Sequence, residues 1–263
     1  MTTFTSRAID ARGSRFSYGE KGEGEPTLIL HSLLTNRTAY EAMGEALDGR
    51  IVTLDLPGFG STDVCPPDIN SFADRVAQFI REMKLDTGLT LVGNGMGAFV
   101  ALGTAIYHGP LLDRLILVGC GVRFPDQAKR AFAEMIDTVR SGGIEAVIPI
   151  ALRRIFTESF LGSNPDLAEK AAAALRKTEP STFINACEAL TTVDYTSQAE
   201  DVRTPTLVLV GEEDQATPPS LAEQVHSLIP GSRLETLPGI AHAPHLQDPE
   251  GLSAAIERFQ KMR

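Results

Sequence analysis

Leu91-Val92-Gly93-Asn94-Gly95-Met96-Gly97-Ala98 is the stretch on which the reading of this chain turns. An apolar run over residues 89–93 leads into it, and an apolar run with helical spacing over residues 96–108 leads out of it. The glycines therefore occupy a tight junction between a buried strand and a helix. Gly93 and Gly97 stand at the spacing of the G-x-S-x-G elbow, in which small flanking residues let strand and helix cross and the middle residue sits on a sharp, strained turn. The middle residue here is Gly95 rather than serine. Glycine adopts a positive φ without the steric cost that serine bears, so the turn is served at least as well while a nucleophile is lost. A glycine-rich dinucleotide loop would also fit the bare spacing. Such a loop follows the first strand of its fold, whereas at least two buried runs precede this one.

Outward from the junction, short apolar runs alternate with amphipathic ones. Residues 27–31, 51–55, 89–93, 115–119 and 206–211 are near-continuous apolar runs of the kind covered on both faces of a parallel sheet, and residues 233–237 would close the series. Mixed alternation over residues 4–18, ending in the Gly/Glu-rich stretch 19–25, predicts an antiparallel edge hairpin. Helical spacing predicts helices over 37–47, 71–84, 96–108, 220–228 and 249–261, with Ser71 and Asp74 as a capping box for the second. From 122 to 203 the strand pattern stops. Roughly 80 residues of helical pattern replace it, too long for an ordinary connection, with helices expected at 127–139, 144–156, 166–177 and 181–190. The expected architecture is an α/β fold, a mostly parallel sheet with helices on both faces. Residues 1–121 and 204–263 form its core, and residues 122–203 form a helical lid over a pocket.

The 263 residues hold 24 Lys and Arg against 34 Asp and Glu, a formal net charge of −10. That sign argues against a phosphate backbone or an anionic membrane surface as the partner and leaves a small molecule. A hydrophobic content of 43% supplies the core of one large domain. Cys65, Cys120 and Cys187 are widely spaced and form no CxxC pair, so neither a disulfide framework nor a metal cluster is expected. Residues 1–10 lack the apolar region of a signal peptide and no run reaches membrane-spanning length, which points to a cytoplasmic protein.

Two more residues lie just past buried runs, where strand ends would aim them at the same place as Gly95. Asp214 ends Gly211-Glu212-Glu213-Asp214, and His242 ends Pro238-Gly239-Ile240-Ala241-His242. Elbow, acid and histidine in that chain order are the order of an α/β-hydrolase. The chain resembles that superfamily over essentially its whole length. His31-Ser32-Leu33 looks like its oxyanion loop, and Asp55-Leu56-Pro57-Gly58-Phe59-Gly60-Ser61 resembles its D-x-P-G-x-G-x-S turn. Residues 31–36 and Asp214-Gln215-Ala216-Thr217-Pro218-Pro219 are similar to 3-oxoadipate enol-lactone hydrolases, and Gly93-Asn94-x-Met96-Gly97 is similar to the elbow of meta-cleavage carbon–carbon hydrolases.

The resemblance implies that Asp214 orients His242, that His242 is general base and then general acid, and that the backbone N–H groups of Leu33 and Met96 form the oxyanion hole. It implies a small carboxylic ester or lactone as substrate, with no cofactor and no metal. His31, Ser32, Asn94 and Cys120 are candidates for the pocket. His31 is expected chiefly to order the oxyanion loop, and Ser32 to bind substrate or brace its turn. His245 is expected at the surface or behind the site, and His108 and His226 carry no partner signal. Three accounts of Gly95 stay open at this point. A serine has been substituted out of a Ser-Asp-His hydrolase; or glycine is natural and the His242–Asp214 dyad works without a covalent nucleophile, on water or in carbon–carbon hydrolase, lyase or cofactor-free oxygenase chemistry; or the chain binds a ligand and no longer reacts with it.

Overall fold

The apolar runs become strands β3 (Pro26–Leu30), β4 (Arg50–Leu54), β5 (Thr90–Asn94), β6 (Arg114–Val118), β7 (Thr206–Gly211) and β8 (Arg233–Leu237), preceded by β1 (Thr5–Ala11) and β2 (Ser14–Lys21). The computed structural model describes residues 3–262. Its strands form one eight-stranded sheet in the order β1-β2-β4-β3-β5-β6-β7-β8. β1 and β2 pair antiparallel, as do β2 and β4, and every later pairing is parallel.

Every residue of β3, β5 and β7 is buried, because helices cover both faces. The period-two alternation of each strand sorts its side chains into two cores. Ile29, Val92, Ile116 and Leu209 pack on one face with Tyr40, Met43, Ile256 and Phe259. Leu28, Leu91, Leu117 and Val208 pack on the other with Phe72, Val76 and Phe99. The covering helices are α1 (Glu41–Glu45), α2 (Ile69–Glu82), α3 (Met96–His108), and three after the insertion, α8 (Pro219–Leu228), α9 (Pro244–Gln247) and α10 (Pro249–Gln260).

The local expectations need three corrections. The hairpin turns at Arg12 and Gly13, both at positive φ (47° and 79°), as a two-residue loop matched to strand twist requires. The Gly/Glu-rich stretch lies largely beyond β2. α2 starts two residues earlier than Ser71, because Asp68, in extended conformation, caps it by accepting the Ser71 N–H at 2.8 Å. Residues 37–47 split into a 3₁₀ turn at Arg37–Tyr40, capped by Asn36, followed by α1.

Between β6 and β7 the chain runs through α4 (Asp126–Ile155), α5 (Glu158–Ser163), α6 (Pro165–Leu175) and α7 (Pro180–Thr192). α4 breaks at Gly143, with φ 69° and ψ −171°, where the sequence places the gap between two helices. α5 was not expected; Thr157 starts it by accepting the Phe160 N–H at 3.1 Å. The two ends of the insertion are stitched together, with an antiparallel bridge between Arg123 and Asp194 and a 2.9 Å bond from Tyr195 N–H to Val122 O. Among the described residues no helix is long and apolar enough to cross a membrane.

Candidate active site

β5 ends at Asn94 and α3 begins at Met96, so Gly95 alone makes the turn, with φ 55° and ψ −120°. Its N–H donates to Val118 O at 2.9 Å, and its carbonyl accepts the N–H groups of Ala98 and Phe99. The flanking glycines answer to backbone. A Cβ on Gly93 would lie 2.7 Å from Ala98 Cα, and one on Gly97 would lie 2.6 Å from the carbonyl carbon of Leu30 and 2.7 Å from His31 O. Gly97 N–H also donates to His31 O at 3.1 Å, which ties the elbow to the loop after β3. Gly95 answers to side chains instead, since a Cβ there would lie 2.7 Å from His242 Nε2 and 2.8 Å from Ser32 Oγ.

His242 follows β8, and its Nδ1–H donates to Asp214 Oδ2 at 2.8 Å. Asp214 follows β7 and is 1% exposed. Its Oδ1 accepts the N–H groups of Ala216 and Thr217, each at 2.8 Å, and its Oδ2 also accepts the Thr217 hydroxyl at 2.9 Å. Burial pushes this carboxyl up, but the neighbouring His242 and the hydrogen bonds from His242 and Thr217 outweigh it and hold Asp214 below the usual carboxylate range. An ionised Asp214 keeps the imidazole proton on Nδ1. Nε2 is thereby left as an acceptor facing Gly95.

Two backbone donors border the same place. Among the described residues the N–H groups of Leu33 and Met96 have no acceptor within the protein, and both residues line a cavity together with Ser32, Gly95, Thr217 and His242. The insertion supplies the facing wall through Phe124, Phe132, Met135, Arg154 and Leu190. The space between the walls is about 350 Å³, mouth included, of which about 30 Å³ admits the centre of a water molecule. An acceptor nitrogen, two unpaired backbone donors and an apolar wall can together hold a carbonyl group and take a proton from a nucleophile beside it.

Residues 28–255 match the alpha/beta hydrolase family. The chain belongs to that family. A pimeloyl-(acyl-carrier protein) methyl ester esterase of Neisseria meningitidis is 28% identical, over 88% of this chain and 91% of that protein. A 2-hydroxy-6-oxo-6-(2'-aminophenyl)hexa-2,4-dienoic acid hydrolase of Metapseudomonas resinovorans is 24% identical, over all of this chain and 93% of that protein. The enol-lactonase of Burkholderia xenovorans LB400 shares the fold with a TM-score of 0.90 at 20% identity, over 97% of this chain and 100% of that one.

In this α/β hydrolase, three residues expected in the pocket stand off the cavity wall because their polar atoms are taken. His31 Nε2 accepts the Leu56 N–H at 3.0 Å, and its Nδ1–H donates to Ser32 O at 2.9 Å. Burial pushes the His31 pKa down, so a neutral ring braces the loop after β3. Asn94 Oδ1 accepts the Tyr40 hydroxyl at 2.7 Å, and its Nδ2 donates to Val118 O at 3.1 Å. Tyr40 Oη in turn accepts the Ser32 N–H at 3.1 Å, so Asn94 and Tyr40 bind the elbow to the loop after β3. Cys120 is fully buried and its thiol donates to Gly121 O, with burial pushing its pKa up.

Thr217 was overlooked in the sequence, although an Asp whose side chain caps the turn two and three residues ahead is a readable signal. Tyr40 and Arg154 carry no such local signature. Two of the remaining histidines do have partners: His108 Nε2 lies 2.7 Å from Asp74 Oδ1, and His226 Nδ1 lies 2.9 Å from Ser232 Oγ.

His245 is not at the surface. It is 1% exposed, stacks on Tyr40 at 3.9 Å between centroids, and neither ring nitrogen has a partner among the described residues. Burial, reinforced by the neighbouring His242 and His31, pushes it from 6.5 down to about 3. Between those values the unfolded chain binds a proton that the folded chain refuses. The stability of this α/β hydrolase should therefore be whole above pH 6.5 and fall as pH drops below it, by about 1.4 kcal/mol per pH unit from this one group. His245→Phe keeps the stack and should remove that slope. Urea unfolding at pH 7 and pH 5 reads it as a difference of about 2 kcal/mol between the two proteins; equal slopes would disprove it.

Proposed function

We propose that this α/β hydrolase cleaves a small, largely apolar carboxylic ester or lactone on a Ser-Asp-His frame in which Gly95 holds the serine's place. As the chain stands, His242 is the general base toward water, Asp214 fixes its tautomer and stabilises the imidazolium, and the N–H groups of Leu33 and Met96 receive the oxyanion. The observation that carries this reading is the convergence of His242 Nε2 and those two unpartnered N–H groups on one cavity at Gly95. A nucleophile supplied by solvent needs no covalent intermediate, and no metal or cofactor enters the scheme.

Residues 122–203 act as the lid and set specificity, because five of them line the cavity opposite the catalytic groups. Arg154 is the one cation on that wall, lying over the Phe132 ring at 5.8 Å and without an ion pair among the described residues. No carboxylate shares the wall with it. This favours a substrate that carries a negative group on its far side, in a chain whose overall charge of −10 would otherwise repel it.

The test is hydrolysis of phenyl acetate and of monomethyl adipate by the protein and by His242→Ala. The protein should exceed the buffer rate, and His242→Ala should lose at least about 100-fold of that excess. Equal rates would remove the general base from the scheme.

A further inference from the structure

Ser32 sits at the start of the loop after β3 and is 2% exposed. Its backbone is fully engaged, with N–H donating to Tyr40 Oη at 3.1 Å and carbonyl accepting from Thr35 N–H at 3.2 Å and from His31 Nδ1–H. The residue is thus rigidly held. Its hydroxyl makes no hydrogen bond among the described residues and faces the cavity. A free hydroxyl on a fixed backbone is a ready hydrogen-bonding group for whatever enters.

The position of that hydroxyl is specific. Ser32 Oγ and His242 Nε2 lie 2.8 and 2.7 Å from the point where a Cβ on residue 95 would be. In a serine elbow that point belongs to the nucleophile's own side chain; it lies one bond length from Gly95 Cα, so a water that bridges the two atoms sits beyond it, on the cavity side. Here two polar atoms of complementary capacity flank it, because Nε2 can only accept while Oγ can accept or donate.

We propose that Ser32 Oγ and His242 Nε2 together hold the attacking water, making Ser32 a catalytic residue that positions the water which replaces the missing serine hydroxyl. The inference rests on the reading of the site as a hydrolase. The water donates one hydrogen to Nε2 and the other to Oγ, which leaves a lone pair directed at the carbonyl held by Leu33 and Met96 N–H. As the water oxygen bonds to the carbonyl carbon, its proton passes to Nε2 and the carbonyl electrons move onto the oxyanion. Collapse of the oxyanion breaks the bond to the alkoxy oxygen. The imidazolium proton goes to that leaving oxygen, releasing acid and alcohol, or a hydroxy acid from a lactone. Ser32 is unchanged at the end of the cycle.

The experiment is Ser32→Ala in two backgrounds, the protein itself and Gly95→Ser, read with p-nitrophenyl acetate. In the protein itself, kcat should fall about 100-fold with KM changed less than about threefold, since misplacing the nucleophile costs turnover rather than binding. In the Gly95→Ser background the loss should be at least tenfold smaller, because the nucleophile there is part of the chain. Ser32 Oγ bonds nothing among the described residues, so the thermal midpoint should hold. Rapid mixing needs no Ser32 variant: Gly95→Ser should release a stoichiometric burst of p-nitrophenol and the protein itself none. Equal losses in the two backgrounds, an undiminished rate in Ser32→Ala, or an acyl group found on Ser32 by mass spectrometry would each overturn the proposal. Turnover by Gly95→Ser with none by the protein itself would overturn the role of Ser32 and leave the hydrolase reading standing. No turnover by either would overturn both.

Discussion

Replacing Gly95 by serine is expected to raise the hydrolysis of a small ester by at least about a thousandfold. Losing a triad nucleophile costs on the order of a millionfold in turnover, while the oxyanion hole and binding alone retain roughly a thousandfold over water. The partners that the proposal needs are present, with Asp214 paired to His242 at 2.8 Å and, among the described residues, no acceptor for the Leu33 and Met96 N–H groups. The new Cβ would start 2.7 Å from His242 Nε2 and 2.8 Å from Ser32 Oγ. Both are the ends of side chains, and each must withdraw by a few tenths of an ångström. Gly95 sits at φ 55°, where a residue with a Cβ is strained by about 1–2 kcal/mol. Gly95→Ser should therefore gain kcat/KM and lose urea stability together. A variant that stays folded and shows no gain would sink the hydrolase frame.

The same chemistry applied two residues further on should destroy the protein. Gly97→Ala would drive a methyl group into the carbonyl groups of Leu30 and His31, at the end of the strand that pairs with both β4 and β5. Backbone held in a sheet cannot step aside as a side chain can, and the bond from Gly97 N–H to His31 O would break with it. The expected loss exceeds about 4 kcal/mol, within the range reserved for overpacked or strained sites, so little folded protein should accumulate. Gly95→Ala is the control and should remain folded with a loss of about 1–2 kcal/mol. If soluble expression and circular dichroism find Gly97→Ala as stable as that control, then backbone crowding is not what demands the elbow glycines.

The contrast between these two glycines also marks how far the sequence could be read. The spacing of Gly93, Gly95 and Gly97 announces a strand-to-helix junction, and α3 begins and ends where the apolar spacing places it. The parallel strands were legible because a strand covered on both faces has no choice but to be apolar throughout. Short elements were not: α5 and α9 hold too few residues for periodicity to register. Ser71 and Asp74 satisfy a capping pattern, yet Asp68 reaches the N–H of residue 71 first.

Local spacing and chain order by themselves determined the α/β layering, the elbow, the positions of Asp214 and His242 past their strands, and the absence of a serine at residue 95. Only the tertiary structure decided which polar atoms meet. It turned the side chains of His31, Asn94 and Cys120 away from the cavity, buried His245 against Tyr40, and left the Ser32 hydroxyl and the Leu33 and Met96 N–H groups at its edge without partners among the described residues. The physical reason is distance along the chain. A strand's character is written in neighbouring residues, whereas the partner of Asn94 lies 54 residues away and that of His242 lies 28, and such pairings exist only once the sheet register and the helices packed on it bring the segments together.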